Sequence, residues 1–155
     1  MTATQPKLRN RRRAGITLIE MLVVVTIIAL FAAVVGTTMF KKTDQARVTA
    51  AKLQISNFMD ALGQYKLDTG DFPTTEQGLE ALVKKPDIAP VPERWREGGY
   101  LDGNSVPKDP WNHPYYYASP TQDGKDYEII SYGKTGEPGG TGNDAEISSA
   151  DISQE

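Results

Sequence analysis

The sequence predicts an α+β fold in which a long N-terminal helix packs on a small antiparallel sheet with a glycine-rich C-terminal loop. Three patterns predict it: an apolar run without ionisable side chains over residues 21–40, helical periodicity over residues 51–65, and two aromatic segments separated by turn residues. About 115 residues follow the apolar run, which is enough for one modest domain with its own core.

The first 15 residues contain five basic side chains and no acidic one, and an apolar run follows them. This order is typical of a secretory signal peptide, but the run is too long and no Ala-x-Ala cleavage site follows it. At about 1.5 Å per residue it reaches roughly 30 Å, the thickness of a bilayer core. An arginine-rich arm for nucleic acid is the other alternative. A topology signal that stays in the cytoplasm explains the basic residues more simply.

Glu20 places one carboxylate near the start of this apolar run. A charge inside a membrane segment costs free energy, on the order of a few kcal/mol on insertion scales. Glu20 therefore either lies in the headgroup region, where the cost is small, or has a function that offsets the cost. The residue alone leaves both interpretations open.

Beyond Lys41 the chain continues as an amphipathic helix. Apolar side chains recur at spacings of three and four, which predicts one buried helical face. The segment Asp71-Phe72-Pro73 ends this pattern, so we expect the helix to end near Gly70. The apolar positions are Ala51, Ile55, Phe58, Met59, Leu62 and Tyr65.

The remaining residues predict short elements joined by an ordered loop. Thr74 and Gln77 have the capping-box spacing, which favours a short helix through about Lys84. Residues 86–114 hold six of the ten prolines together with several large aromatic residues, which is typical of an ordered loop. Residues 115–118 and 127–132 are rich in aromatic and β-branched side chains, and the turn residues between them predict a hairpin.

The segment Ala14-Gly15-Ile16-Thr17-Leu18-Ile19-Glu20 resembles the class III signal of type IV pilins and type II secretion pseudopilins. The resemblance implies that a prepilin peptidase cleaves between Gly15 and Ile16 and methylates the new amino terminus of Ile16. Ile16 departs from the phenylalanine that is usual there. The implied domains are a cleaved leader at 1–15, a transmembrane and assembly helix at 16–40, and a periplasmic globular domain at 41–155.

Cleavage also gives Glu20 a partner. It creates a cationic amine at Ile16, and in a filament the amine of one subunit can meet Glu20 of its neighbour. Such pairing compensates two costly charges in an apolar core. We therefore expect Ile16 and Glu20 to form the assembly contact.

Further segments resemble the major, or G-type, pseudopilin of type II secretion, and with them the resemblance covers nearly the whole chain. It implies a pilin fold and a structural subunit that polymerises into a helical homopolymer, the pseudopilus, to drive export of folded proteins. The implied partners are minor pseudopilins, the prepilin peptidase, an inner-membrane assembly platform and the lipid bilayer. The implied location is the inner membrane and then the periplasmic pseudopilus. The segments are Tyr65-Lys66-Leu67-Asp68, Pro73-Thr74, Gln77-Gly78-Leu79-Glu80-Ala81-Leu82, Gly99-Tyr100-Leu101, Pro107-Lys108-Asp109-Pro110-Trp111 and Ser131-Tyr132-Gly133.

Two related functions are alternatives: a type IV pilin and a minor pseudopilin. Adhesive type IV pilins commonly close a C-terminal loop with a disulfide, and this chain has no cysteine. Minor pseudopilins commonly have larger and less regular domains. The compact domain expected here therefore favours the repeated subunit.

The glycine-rich segment 133–147 could be a phosphate cradle, a calcium loop or a plain loop. It lacks the Gly-Lys-Ser/Thr of a Walker motif. In the resembling family this loop binds calcium, an ion that takes six to eight oxygen ligands. Asp144 and the carbonyl of Tyr132 match ligand positions of that family.

Two departures weaken the calcium prediction. Thr135 replaces the aspartate of the usual Gly-x-Asp-Gly pattern, and Gly142 stands where another acidic ligand often lies. Glu137 or Glu146 could compensate. The candidate metal set is therefore Asp144, Tyr132 and Thr135, and a loop without metal is the alternative.

Catalysis and nucleic-acid binding are disfavoured. His113 is the only histidine and is expected to be a surface turn residue, and the chain has no cysteine nucleophile or Gly-x-Ser-x-Gly elbow. Cleavage after Gly15 leaves 12 basic against 20 acidic side chains, a net side-chain charge of −8, which disfavours nucleic acid. We expect no enzyme; a membrane-anchored periplasmic hydrolase is the alternative from another class.

Overall fold

A computed structural model describes residues 15–141 and 145–153, including their side chains except those of residues 33–42. The order of elements confirms the predicted α+β class. They are helix α1 (Leu18–Thr69), a 3-10 helix (Leu79–Leu82), strands β1 (Tyr116–Ala118), β2 (Glu128–Ser131) and β3 (Ile147–Ser148), and helix α2 (Ser149–Ile152).

The chain divides into two units between Phe40 and Lys41. In the first unit the large apolar side chains from Ile16 to Phe31 are exposed; Leu18, for example, is 86% exposed. Among the residues described, we find no helix with both the length and the apolar character that a membrane crossing requires. Because the side chains of residues 33–40 are not described, the predicted spanning helix at 16–40 stays a prediction.

The second unit has a core that α1 shares with the sheet. Ile55, Phe58 and Leu62 of α1 are fully buried, which confirms the predicted apolar face, although Met59 is only partly buried. The ring of Phe58 meets that of Tyr115 edge to face, with 5.0 Å between centroids. Aromatic pairs prefer this arrangement and gain about 0.5–1.5 kcal/mol beyond burial. The helix therefore supplies one wall of the core.

Helix α1 ends at Thr69, as predicted. Gly70 adopts a positive φ of 100° and its N–H donates to the Lys66 carbonyl at 2.8 Å. The Thr69 hydroxyl donates to the carbonyl of Tyr65 at 2.8 Å. A glycine in the left-handed region is a common helix stop, because it lacks the Cβ that opposes this conformation.

The three strands form one antiparallel sheet in the order β1-β2-β3. Tyr117 pairs with Ile129 and Ser131 pairs with Ile147, so the predicted hairpin is confirmed. Strand β3 and helix α2 were not predicted, because segments of two and four residues have too little periodicity to detect. The Ser149 hydroxyl of α2 accepts from the Ile129 N–H at 3.0 Å, which ties the chain end to the sheet.

The helix predicted to reach Lys84 is wrong in type and length, since it is a 3-10 helix of four residues. Its predicted capping box is present: the Thr74 N–H donates to Gln77 Oε1 at 3.1 Å, and the Gln77 N–H donates to Thr74 Oγ1 at 3.2 Å. Gly78 then adopts a positive φ of 64°, which interrupts helical geometry after the capped turn. The helix therefore starts only at Leu79.

The proline-rich loop is ordered, as predicted, and it folds back on the 3-10 helix. Trp95 Nε1 donates to the Ala81 carbonyl at 2.9 Å, and the Tyr100 N–H donates to the Leu82 carbonyl at 2.7 Å. A Cβ on Gly99 would lie 2.7 Å from the same Leu82 oxygen. The glycine of the Gly-Tyr-Leu segment is therefore required by the close approach of two backbones.

Candidate functional site

Helix α1 begins with a capping box made by Thr17 and Glu20. The Thr17 N–H and hydroxyl both donate to Glu20 Oε2, at 2.8 and 3.0 Å. In return the Glu20 N–H donates to Thr17 Oγ1 at 3.3 Å, and the Met21 N–H donates to the Thr17 carbonyl at 3.3 Å. A carboxylate at this position also interacts favourably with the positive end of the helix dipole. The sequence interpretation missed this role, although Thr-x-x-Glu is the same pattern that located Thr74 and Gln77.

The predicted cleavage bond lies just outside the helix. Gly15 and Ile16 precede the capping residue, belong to no helix or strand, and are exposed, with Ile16 71% exposed. The basic residues of the predicted leader lie outside the described residues. Gly15, Ile16 and Glu20 thus lie within one short segment. The predicted contact needs the amine of a neighbouring subunit, which the structure of a single chain does not include. Cleavage, methylation and the intersubunit contact stay predictions.

A second polar cluster joins the Asp-Pro-Trp turn to the end of β2; we call it the Asp109 network. The Asp109 carboxylate is buried, only 5% exposed. Its Oδ1 accepts from the backbone N–H groups of Trp111 and His113, at 3.1 and 2.7 Å. Its Oδ2 accepts from the Ser131 hydroxyl at 2.7 Å, and Ser131 Oγ accepts from the Gly133 N–H at 3.2 Å. Three donors satisfy this buried charge, as burial requires.

His113 is not a free surface residue, which corrects the sequence interpretation. The side chain is half-buried, and its Nδ1 lies 3.0 Å from the Gly133 carbonyl. The ring packs so closely on Gly136 that a Cβ there would lie 2.9 Å from the His113 Cε1. His113 therefore fixes the start of the glycine-rich loop to the Asp109 network.

Asn112 supports the same turn. It has a φ of 73°, the one positive value among the described non-glycine residues. Asparagine tolerates this left-handed conformation better than most side chains. It can therefore occupy a turn position at which glycine would carry no steric cost.

Further along the loop, Thr135 and Glu146 make closing hydrogen bonds. The Thr135 hydroxyl lies within bonding distance of the carbonyls of Tyr132 and Glu137, at 3.1 and 3.2 Å. The Gly139 N–H donates to Glu146 Oε1 at 2.7 Å. The predicted metal-site residues Tyr132 and Thr135 are therefore in contact with each other.

The described residues leave the predicted calcium site untested. Asp144 and Gly142 lie outside the described residues, and the described acidic and histidine side chains form no group of three that could hold a metal. The Thr135 hydroxyl donates within the loop, and Glu146 Oε1 accepts from a backbone N–H. The calcium site at Asp144, Tyr132 and Thr135 stays an untested prediction.

Two buried polar atoms of this region have no hydrogen-bond partner among the described residues: Tyr115 Oη and Trp111 Nε1. Burial raises the pKa of the Tyr115 hydroxyl far above its ordinary value, and the nearby Asp109 carboxylate raises it further. Tyr115 therefore stays neutral at any physiological pH and acts as a core residue. The arrangement shows no sign of proton-transfer chemistry at this phenol.

Comparisons with known proteins agree with the fold and the N-terminal segment. Residues 38–150 match the profile of the family described as type II secretion system (T2SS), protein G. Residues 10–36 match the prokaryotic N-terminal methylation motif. The two matches together include the candidate cleavage site, Glu20 and most of the second unit.

Relatives from several bacteria carry the name type II secretion system core protein G. The protein of Pseudomonas aeruginosa is 44% identical, covering 93% of this chain and 99% of the relative. Those of Aeromonas hydrophila and Vibrio cholerae are 42% and 40% identical, covering 85% and 93% of this chain and 90% and 96% of the relatives. The crystal structure of the major pseudopilin from the type 2 secretion system of enterohaemorrhagic Escherichia coli is similar, with a TM-score of 0.61 and 34% identity. That match covers 71% of this chain and 91% of the pseudopilin.

Proposed function

The chain belongs to the family of type II secretion system protein G and is a structural subunit of the pseudopilus, and we propose that it polymerises into a helical homopolymer that drives export of folded proteins. The family and the methylation motif imply a membrane-associated or periplasmic location within the secretion system. The observation that supports the repeated-subunit role most directly is the likeness to a major pseudopilin over 91% of that chain.

We propose that a prepilin peptidase cleaves between Gly15 and Ile16 and methylates Ile16. The exposure of both residues outside α1 supports this proposal, because the bond is not part of a helical hydrogen-bond ladder. Thr17 keeps its backbone N–H after cleavage, so the capping box with Glu20 can persist in the mature subunit. Mass spectrometry of the mature amino terminus tests the proposal; an uncleaved or unmethylated terminus would contradict it.

The proposed location is the inner membrane, with a single crossing by residues 16–40 and the second unit in the periplasm. The support comes from the sequence: no ionisable side chain over residues 21–40, and a basic segment before them. The exposed apolar side chains from Ile16 to Phe31 need a lipid or protein environment. Extraction with alkaline carbonate tests this location, because it releases peripheral but not integral membrane proteins. The chain should remain in the membrane fraction.

In the assembled filament we propose that Glu20 meets the Ile16 amine of a neighbouring subunit. Both Thr17 donors end on Glu20 Oε2, and no described residue donates to Oε1. The second oxygen is therefore available for an amine while the capping box stays closed. Once the contact is buried among apolar helices, pairing offsets the desolvation of both charges.

We propose as further partners minor pseudopilins, the prepilin peptidase, an inner-membrane assembly platform with its cytoplasmic ATPase, and lipid. A type IV pilin or a minor pseudopilin is the competing proposal within the same superfamily. Deletion of the gene should abolish release of exoproteins and leave surface pili intact. Loss of surface pili with normal exoprotein release would favour the type IV pilin instead.

We propose no catalytic activity and no nucleic-acid partner. His113, the only histidine, is engaged with Gly133, and no acidic or histidine cluster suited to a metal occurs among the described residues. A periplasmic hydrolase would need reactive groups at an accessible site. Hydrolysis of generic ester or peptide substrates by the purified protein would contradict the proposal.

A further inference from the structure

We infer that the C-terminal loop, residues 133–141, is closed by the chain's own side chains and keeps its fold without a metal ion. The inference goes beyond the proposed assembly function, because it concerns what stabilises the loop in each subunit. Three ties hold the loop: one through Thr135, one through Glu146 and one through His113. Each tie provides a hydrogen-bond donor or acceptor where a cation would otherwise organise the backbone.

The first tie is the Thr135 hydroxyl. Its single proton can go to the carbonyl of Tyr132 or of Glu137, at 3.1 and 3.2 Å, and the Glu137 N–H lies 3.4 Å from its oxygen. The Tyr132 carbonyl is the backbone oxygen expected to bind a cation. Here the Thr135 hydroxyl offers that oxygen a donor within the chain, so a positive ion is not required as its partner.

The second tie is the Glu146 carboxylate. Its Oε1 accepts from the Gly139 N–H at 2.7 Å, a length typical of a charge-assisted hydrogen bond. Glu146 immediately precedes β3, which begins at Ile147. The bond therefore connects the far part of the loop to the edge of the sheet. It also gives the carboxylate, which could otherwise attract a cation, a donor within the chain.

The third tie is the contact of His113 with the start of the loop. The Nδ1 lies 3.0 Å from the Gly133 carbonyl, and Gly136 packs directly on the ring. The Gly133 N–H is held by Ser131, which itself donates to the buried Asp109. This end of the loop is thus connected to the core, and the connection uses no residue that a metal would need.

A calcium site would stabilise such a loop in a different way. It gathers six to eight oxygens around one positive charge, so removal of the ion leaves those oxygens to repel one another. The described loop instead pairs oxygens with N–H and O–H donors. Chelation of divalent cations should therefore leave the loop intact.

The test is thermal unfolding of the full-length protein in detergent, with millimolar calcium, with millimolar magnesium and with excess EGTA. We compare the wild type with Thr135→Val, Glu146→Ala and Thr49→Val. Thr49 is the matched control, because its hydroxyl donates within α1 to the Gln45 carbonyl at an exposed position. Hydrogen exchange at the Gly139 amide gives a local readout that does not depend on global unfolding.

The wild type should unfold at the same Tm in all three buffers. Thr135→Val and Glu146→Ala should each lower Tm by about 3–6 °C and speed Gly139 exchange, as expected for one lost hydrogen bond in a domain of this size. Thr49→Val should change neither, because a hydroxyl that bonds back to the carbonyl four residues earlier in a helix does not stabilise that helix. A specifically bound ion, present at a concentration about a hundred times its Kd, would raise Tm by roughly 10 °C. Such a rise in the Tm of the wild type with calcium but not with magnesium would overturn the inference. If both loop variants kept the wild-type Tm and the wild-type Gly139 exchange rate, the claim that these hydrogen bonds stabilise the loop would be wrong.

Discussion

Replacing Glu20 by glutamine removes its charge but keeps a side chain that can close the capping box. Glutamine serves at this position of capping boxes as glutamate does, so its carbonyl oxygen can still accept from the Thr17 N–H. Glu20→Ala removes both the charge and the cap. Thr17→Val removes the two hydrogen bonds of the Thr17 hydroxyl but keeps the charge and the 2.8 Å bond from the Thr17 N–H. The three variants therefore separate the cap from the charge.

The two effects differ in size. Loss of a helix cap costs about 0.5–2 kcal/mol. Removal of one partner from a buried ion pair costs about 3–5 kcal/mol, because the other charge is left buried and unpaired. At about 1.4 kcal/mol per tenfold, the second cost weakens each subunit contact by roughly a hundredfold to several thousandfold. Loss of the Thr17 hydroxyl costs about 1 kcal/mol, so it weakens each subunit contact only about fivefold.

Filament assembly is measured as subunits sheared from the surface of cells that overproduce the protein, and exoprotein release is measured in parallel. We expect Glu20→Gln and Glu20→Ala to fail alike in both assays, and Thr17→Val to assemble. Membrane insertion and cleavage after Gly15 should be normal in all three, and they serve as controls. If Glu20→Gln assembled like the wild type, the charge would be irrelevant and the capping box would be the sole role of this residue.

Three changes in the second unit test the packing. Asp109→Ala should lower the free energy of unfolding by about 3 kcal/mol, since it removes the acceptor of three hydrogen bonds from a buried network; a loss below about 1 kcal/mol in urea unfolding would contradict this. Gly99→Ala should cost about 1–3 kcal/mol more than its neighbour Gly98→Ala, because both have positive φ but only the Gly99 Cβ would meet the Leu82 oxygen; equal urea midpoints would refute the close approach. Tyr115→Phe should stabilise the protein by up to about 1 kcal/mol at neutral pH, since its hydroxyl has no partner among the described residues. Because burial holds the folded-state pKa of Tyr115 above its ordinary value of 10.0, only the unfolded chain ionises just above that pH, so the free energy of unfolding falls as pH rises further. Alkaline unfolding measured by circular dichroism should therefore be less steep in Tyr115→Phe, and an identical pH profile would contradict the raised pKa.

Local rules explain which parts of the fold were predictable. The end of α1 follows from glycine at positive φ, and the Thr74–Gln77 cap follows from hydrogen bonds between residues three apart. The same spacing rule applies to Thr17 and Glu20 and would have found their cap. That cap goes unpredicted because, within an apolar run, the charge of Glu20 is the stronger signal.

Other features were beyond these rules because their partners are far apart in the sequence. The role of His113 depends on Gly133, 20 residues away, and that of Ser131 on Asp109, 22 residues away. The pairing of β3 depends on β2, since a two-residue strand has no signal of its own. No spacing pattern encodes such contacts.

The order of amino acids was thus enough for the long helix, the hairpin and the family, because each depends on neighbouring residues or on short motifs. The closure of the glycine-rich loop required the folded chain. Folding places the Glu146 carboxylate beside the Gly139 N–H and the His113 ring beside the Gly133 carbonyl. The physical reason is that a hydrogen bond depends on distance and direction between two atoms, and the packing of α1 and the sheet sets both.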